Sequence, residues 1–480
     1  MVPVLERRIP SSGRAGASWI RSAPLAAALL GALWGAVIAA AGLNALYLCA
    51  GLIGCAFILL DFRIGVVLLI LLMPVSATFL FPHKMFGIKG LNPLNLLQAG
   101  TLASWLIGAM WHGSPRRFVP RPLLWLYVVP IVVAGALGSR HVRDIAPGFL
   151  INDALSFHGT AQYLVVTLIK PLFLVVFALL VGAAVSKSEK PERFLLPVWI
   201  SIWVMGAMVI VFVLRSGVGL ELLARSDERN FYSPLGMHAN ELGRLFVVAY
   251  ALLLFTWGET KADAARQGLL ASMALAVVAL MLTFSRGAFL GFAVVNLLFL
   301  FWRRNAGALV FFALLTALAL FALPDAVYER VTTGFGSGLN AVSAGRIDGL
   351  WLPLLPELLR HPLFGNGLES ILWSEPMRRG AGVTINATTH PHNAYLEALL
   401  DMGIVGLALL GAYFAHAWKG FRALAADSSL SPQLRGFYLG AAAGLLAVLV
   451  CYLTDASLRP KPEQVFLWLA IGMLYGRRNR

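Results

Sequence analysis

The sequence predicts an all-α fold, a polytopic bundle of membrane-spanning helices interrupted by one large loop. Three observations predict it. Hydrophobic residues make up 59% of the 480 positions and charged residues only 13%, about half the ~25% usual in soluble domains. Mean hydropathy is +0.78. Apolar runs long enough, or nearly so, to cross a hydrocarbon core of about 30 Å recur along the whole chain. Fourteen such runs can be marked, and twelve to fourteen are expected to be true spans.

The first runs, 23–43 and 44–60, follow a basic N-terminus bearing Arg7, Arg8, Arg14 and Arg21. That start has the look of a signal peptide, but its apolar run is as long as a full span and no cleavage site is convincing, so a retained helix is expected. Runs at 64–80, 93–111, 122–138, 161–185 and 194–216 come next, then 238–257, 267–284, 287–302 and 306–323. A polar segment rich in Gly and Pro occupies 324–392, and the last runs are 393–418, 436–454 and 463–475. The chain therefore divides into 1–323 (helices), 324–392 (the large loop) and 393–480 (helices), all parts of one integral membrane unit. No internal repeat or separate soluble domain interrupts this pattern.

The net charge of +15 invites a nucleic-acid reading, which its distribution excludes. Basic residues cluster between apolar runs, at Arg116–Arg117, Lys187–Lys190–Arg193, Arg303–Arg304 and Arg477–Arg478–Arg480, as cytoplasmic loops of membrane proteins do. With both termini on that side, 139–160, 217–237, 324–392 and 455–462 face outward. Cys49, Cys55 and Cys451 all lie inside apolar runs, which argues against a disulfide framework or a cysteine metal site. Inside the large loop, Leu350–Leu359 reads as an amphipathic piece lying on the outer membrane surface. His361–Gly367 reads as a turn.

Ionisable residues inside spans cost about 2.5–3.5 kcal/mol each to insert, so they default to functional candidates. Arg286, in T-F-S-R-G-A, has no acidic neighbour within four residues, and an anionic ligand is favoured there. Glu241 and Arg244 are spaced as an i,i+3 pair that can satisfy itself. Lys170, before Pro171, has the reach to snorkel. Arg346, in S-A-G-R-I-D-G of the outward loop, has Asp348 as a local partner. The sharpest cluster is T-T-H-P-H-N, where the large loop meets an apolar run: His390 and His392 are followed directly by Asn393. His392 is expected to open the inward-running helix, whose positive end disfavours imidazolium and so suits a general base. His390 is expected to support it. Two histidines spaced His-x-His suggest a metal, but only Glu397 is near and no cysteine lies outside the membrane, so none is assigned.

These residues resemble the O-antigen ligase and O-antigen polymerase superfamily. The resemblance rests on S-R-G-A at 285–288, G-R at 345–346 with Trp351 following, H-P-L-F-G at 361–365, and His392-Asn393 with nine residues before Gly403-Ile404-Val405-Gly406. It covers about 238–418; the first 230 residues match only in hydropathy. It implies a GT-C-like glycosyltransferase of the bacterial inner membrane, working on the periplasmic side without metal or cofactor. The donor it implies is a glycan on undecaprenyl pyrophosphate, and the acceptor is lipid A–core oligosaccharide. Transfer would proceed with inversion, His392 serving as base and Arg286 and Arg346 as pyrophosphate ligands. Lys170, Arg244, Arg140, Arg143 and Lys84 form a second tier of cations by predicted side alone. A polymerase of the same superfamily, a protein O-oligosaccharyltransferase and a lipid-linked glycan transporter remain alternatives.

Overall fold

The computed structural model describes residues 28, 31–39, 42–79, 81–85, 88–111, 118–151, 155–224, 227–303, 310, 325–332, 334–379, 388–454 and 457–478. It is helical apart from a two-residue hairpin pairing Lys84–Met85 with Ile88–Lys89. The helices that matter below are α1 (Leu43–Leu60), α2 (Phe62–Leu72), α3 (Pro93–Trp111), α4 (Arg121–Asp144), α5 (Thr160–Lys187), α6 (Pro191–Ser216), α7 (Ala239–Glu259), α8 (Asp263–Leu282) and α9 (Arg286–Arg303). After the large loop, which contributes α10 (Leu352–Arg360), come α11 (Ala394–Ala426), α12 (Pro432–Cys451) and α13 (Val465–Arg478).

Seven of these, α4 to α8, α11 and α12, are long and apolar enough to cross a membrane, and three shorter apolar helices lie at Ala45–Leu60, Phe62–Leu72 and Arg286–Trp302. Against the twelve to fourteen expected, seven full-length candidates and these three shorter helices lie among the described residues. The run at 306–323, the Arg116–Arg117 cluster and most of the N-terminal segment lie outside them. The run expected at 64–80 ends early, at Leu72, because Pro74 opens a series of turns. Proline also explains three π-helical turns, Leu124–Val128, Val165–Ile169 and Ile347–Trp351. Each ends two residues before a proline (Pro130, Pro171, Pro353). Proline lacks an N–H and its ring strikes the carbonyl four residues back, so the helix widens by one residue rather than breaking.

The centre of the bundle is α7, five-sixths of whose apolar stretch is buried (83%). It is buried against α12 because Gly436, Gly440 and Gly444 leave one stripe of α12 bare. A Cβ at Gly436 or Gly440 would stand 2.5 Å from the carbonyl of Phe255 or Ala251. Small residues four apart let helix backbones touch, which replaces the hydrophobic drive that lipid cannot supply. Gly182 and Gly472 do the same between α5 and α13.

Helix direction sorts the charges. Lys187, Lys190, Arg193, Lys261, Arg266, Arg303, Arg435, Arg477 and Arg478 sit where α5, α7, α9, α11 and α13 end or their successors begin. The starts of α5, α7, α9, α11 and α13, with the ends of α4, α8 and α12, define the opposite end. Arg286, Arg346, the two histidines and Arg459 gather there.

Candidate functional site

Three segments far apart in sequence meet at that end on one short turn, Tyr452–Thr454, which follows α12. The first carries Arg286. Thr283 and Phe284 form a turn after α8, and Ser285 directly precedes α9, its Oγ donating to Asn240 Oδ1 at the start of α7 (2.9 Å). The next residue, Gly287, lies so close to the turn that a Cβ would meet Thr454 Oγ1 at 3.0 Å. Cys451 Sγ reaches the Gly287 carbonyl (3.0 Å). Arg286 is half-buried at this junction.

The second segment carries Arg346. Its side chain donates from Nη1 to the Thr454 carbonyl (2.6 Å). The reach to a distant carbonyl replaces the Asp348 pairing that spacing suggested. The third carries the histidines. The main-chain N–H of Ala394 donates to Tyr452 O (3.0 Å), and Trp351 Nε1 donates to Pro391 O (2.7 Å). The His390 and His392 rings stand 4.1 Å apart, inclined at 57°.

The sequence placed His392 at the helix start. The structure shifts that role by one: Asn393 is the N-cap of α11, its Oδ1 accepting from the N–H groups of Tyr395 (3.0 Å) and Leu396 (3.1 Å). Asparagine suits that position because its short side chain folds back onto donors that the first turn leaves unpaired. His392 stands just outside the cap in left-handed backbone, φ 53°. Among the described residues only four that are not glycine have positive φ: Phe284, Ala344, Glu369 and His392. Two of them lie two positions before Arg286 and Arg346, and a third is His392 itself. Strain of this kind costs about 1–3 kcal/mol per residue and persists only where the surroundings impose it, which is why it collects at functional sites.

Below the histidines, α11 is broken. Gly403 has φ 65° and ψ −172°, a region open in practice only to glycine. The break is filled by the H-P-L-F-G-N-G strap. Ile404 N–H donates to Pro362 O (2.9 Å) and Val405 N–H to Leu363 O (3.1 Å), while Asn366 N–H and Gly367 N–H donate to Leu400 O (2.8 Å) and Asp401 O (3.0 Å). Backbone groups that a helix would have paired internally are thus satisfied by the strap, as burial demands. Asp401 fixes the strap's far side, its Oδ1 accepting from Ser370 N–H (3.0 Å) and Oγ (2.8 Å), its Oδ2 from Glu369 N–H (3.1 Å).

Sequence reasoning missed the network this creates. Arg459, in the loop between α12 and α13, is buried and donates from Nη2 to Glu369 Oε1 (2.7 Å) and Glu397 Oε1 (3.0 Å). Ser457 Oγ also donates to Glu397 Oε1 (2.7 Å). Burial lowers the Arg459 pKa, and the carboxylates of Glu369, Glu397 and Asp401 more than reverse this, holding it well above its ordinary value. His390 borders this network, lining one small gap together with Glu369, Glu397 and Asp401. Glu397 and Asp401 were findable, since both are carboxylates inside an apolar run.

The remaining candidates lie elsewhere. Arg244 is buried and reaches Glu463 Oε1 (3.2 Å), whereas Glu241 caps its own helix by accepting the His238 N–H (2.8 Å). The expected local pair gives way to one long-range partner and one cap. Lys170 is exposed partway along α5, directly after a π-turn. Arg140 and Arg143 are exposed on the 3-10 turn Ser139–Asp144 at the end of α4. Lys84 belongs to the small hairpin, opposite Lys89. Among the described residues no three His, Cys, Asp or Glu side chains are placed to hold a metal ion.

Fold and site together define a polytopic, all-helical membrane protein whose ionisable side chains converge at one end of the bundle. Residues 271–411 match the family model described as O-antigen ligase, and this match supports the chain as a member of that family. The matched region takes in Arg286, Arg346, the strap, both histidines and the Gly403 break, and it stops short of Arg459. No curated protein matches the chain.

Proposed function

We propose that the protein is an O-antigen ligase that moves a glycan from undecaprenyl pyrophosphate to a hydroxyl of lipid A–core oligosaccharide, at the periplasmic face of the inner membrane. The observation that carries this reading is the meeting of Arg286, Arg346 and the histidine segment on the Tyr452–Thr454 turn. Three strained residues at or just before those side chains support it. The concentration of basic loop residues at the opposite end favours a periplasmic site.

In this reading Arg286 and Arg346 hold the donor's pyrophosphate by charge-assisted hydrogen bonds. His392, neutral, accepts the proton of the acceptor hydroxyl as its oxygen attacks the anomeric carbon from the face opposite the pyrophosphate. The new C–O bond forms as the bond to the pyrophosphate oxygen breaks, so configuration inverts. The electron pair leaves with undecaprenyl pyrophosphate, and the proton passes from His392 to solvent. Charge grows on the pyrophosphate as that bond breaks, so fixed guanidinium groups favour the transition state over the ground state.

The test is His392→Asn. Asparagine tolerates left-handed backbone, so the fold is kept while the base is removed. Transfer in reconstituted proteoliposomes should fall by about 10²- to 10⁴-fold with donor binding retained. A near wild-type rate would remove His392 as base. In a deletion strain, glycan should remain on its carrier beside bare lipid A–core. Lipid A–core still capped with single repeats would instead point to the polymerase of the same superfamily.

A further inference from the structure

A second cavity lies at the site's end of the bundle, apart from the one under the histidines. A cleft of about 700 Å³ opens between the Ser139–Asp144 turn and the strap, lined among others by His141, Asp144, Glu357, Arg360, Phe364 and Trp373. We propose that this cleft is a saccharide-binding site, separate from the pyrophosphate and histidine site, which grips sugar units remote from the bond being made. The inference rests on the glycosyl-transfer reading above and extends it to the recognition of the glycan.

The chemistry of the lining carries the assignment. A pyranose presents an apolar C–H face and a rim of hydroxyls, each both donor and acceptor. It is best met by aromatic surface flanked by alternating donors and acceptors. Phe364 supplies an aromatic ring that is 62% exposed, and the exposed His141 ring adds a second, backed by the buried Trp373 on which it stacks at 5.5 Å and 25°. Around them the cations are matched with carboxylates: Arg360 with Glu357 and Glu375, and Arg378 with Asp144, whose carbonyl it also reaches (2.9 Å). Such pairs leave little net charge, so the cleft favours a hydroxyl-rich ligand over a polyanion. Trp373 is nine-tenths buried, yet its indole N–H has no acceptor among the described residues. An orphaned buried donor at a cavity wall is the kind of group a ligand oxygen or a bound water satisfies. The volume lies within the range typical of small-molecule sites, roughly 300–1,000 Å³.

Position fits the same role. The strap that lines the cleft with Phe364 continues to Glu369 and Ile371, which line the pocket beneath His390. Helix α10 joins Trp351, bonded to Pro391, to Arg360 at the cleft, and its nine residues span about 14 Å. A short oligosaccharide bridges that separation. Contacts made there are the same in the ground state and the transition state, so they act on KM rather than on kcat. Both the acceptor core and the donor glycan are saccharides, and the experiment separates them.

Binding is measured with full-length protein in nanodiscs against two lipid-free probes: core oligosaccharide released from lipid A by mild acid, and O-glycan released from its carrier. The variants are Phe364→Ala and Arg378→Gln, at side chains exposed enough to change without unfolding the bundle. Each should weaken one probe by about tenfold, the scale of one lost aromatic or charged contact. In proteoliposomes the matching substrate's KM should rise with kcat within about twofold. Weakened core binding assigns the acceptor, weakened O-glycan binding the donor, and either supports the cleft. Wild type binding neither probe, or both variants binding like wild type, overturns it. If wild type binds a probe through these residues yet moves no glycan in proteoliposomes, the proposed function falls while the cleft stands.

Discussion

Two groups of arginines at the same end of the bundle differ in how deeply they are set. Arg459 is buried, and carboxylates from a loop and a helix surround it. Arg286 and Arg346 are only partly covered, and one bond of Arg346 goes to a main-chain carbonyl. A guanidinium enclosed by the fold is committed to holding it together, whereas one that keeps part of its surface open can still be reached from outside. The difference also shows why charge inside a membrane protein is weak grounds for function until its partners are known.

The comparison breaks most directly if the two kinds of arginine respond alike to removal. Arg459→Met leaves Glu397 buried, and Glu369 partly buried, without their cation, a loss of the order of 3–5 kcal/mol. Thermal unfolding in detergent should show a large drop in midpoint, or no folded protein at all. Arg346→Gln should lower the midpoint far less than Arg459→Met does, because Arg346 is only partly covered. Its transfer rate should nevertheless fall by about 10²- to 10³-fold, the effect of losing one donor to developing negative charge. If Arg459→Met is as stable as wild type, or Arg346→Gln as active, the division between the two groups is wrong.

A second comparison, between the two halves of α11, can be sharpened at Gly403. Alanine there enters backbone that costs about 1–3 kcal/mol for any residue with a Cβ, before its contact with the Leu363 carbonyl is counted. Both stability and transfer should fall, since the strap carries Glu369 to Arg459 and reaches the pocket under His390. The neighbouring Gly411, with nothing near its Cβ position, provides the control, and Gly411→Ala should be neutral or slightly stabilising. Equal midpoints for the two variants would mean that the strap does not depend on the break.

What was legible in the sequence follows from the range of the forces involved. Hydropathy is summed locally, so the 93–111 run appears as Pro93–Trp111, and 122–138, 161–185 and 436–454 appear within a few residues of their helices. The motif residues Arg286, Arg346 and His392 could be picked out individually, but the meeting of their segments on the Tyr452–Thr454 turn could not, because it depends on contacts between positions far apart in sequence, as between Arg346 and Thr454. The strap was read as a turn for its Gly and Pro content, yet its purpose is to pair with a helix break forty residues away. Arg459 went unnoticed since its loop looked like an ordinary polar connection. Only the fold reveals that Ser457 and two carboxylates close around it.

The smallest expected effect concerns how the histidine loop is held. Trp351 Nε1 donates to the Pro391 carbonyl at 2.7 Å, one of the few bonds fixing the residue before His392. Trp351→Phe keeps most of the ring's packing and removes only that donor, worth about 0.5–1.5 kcal/mol. If the bond serves to aim His392, kcat should fall by about two- to tenfold, the kinetic equivalent of that energy. KM for both substrates should hold, and the pH profile should keep its shape because the base is unchanged. A lowered unfolding midpoint with kcat intact would make Trp351 a packing residue. The strained His392 backbone would then be imposed from the other side, by the Ala394 bond to Tyr452 and the Asn393 cap.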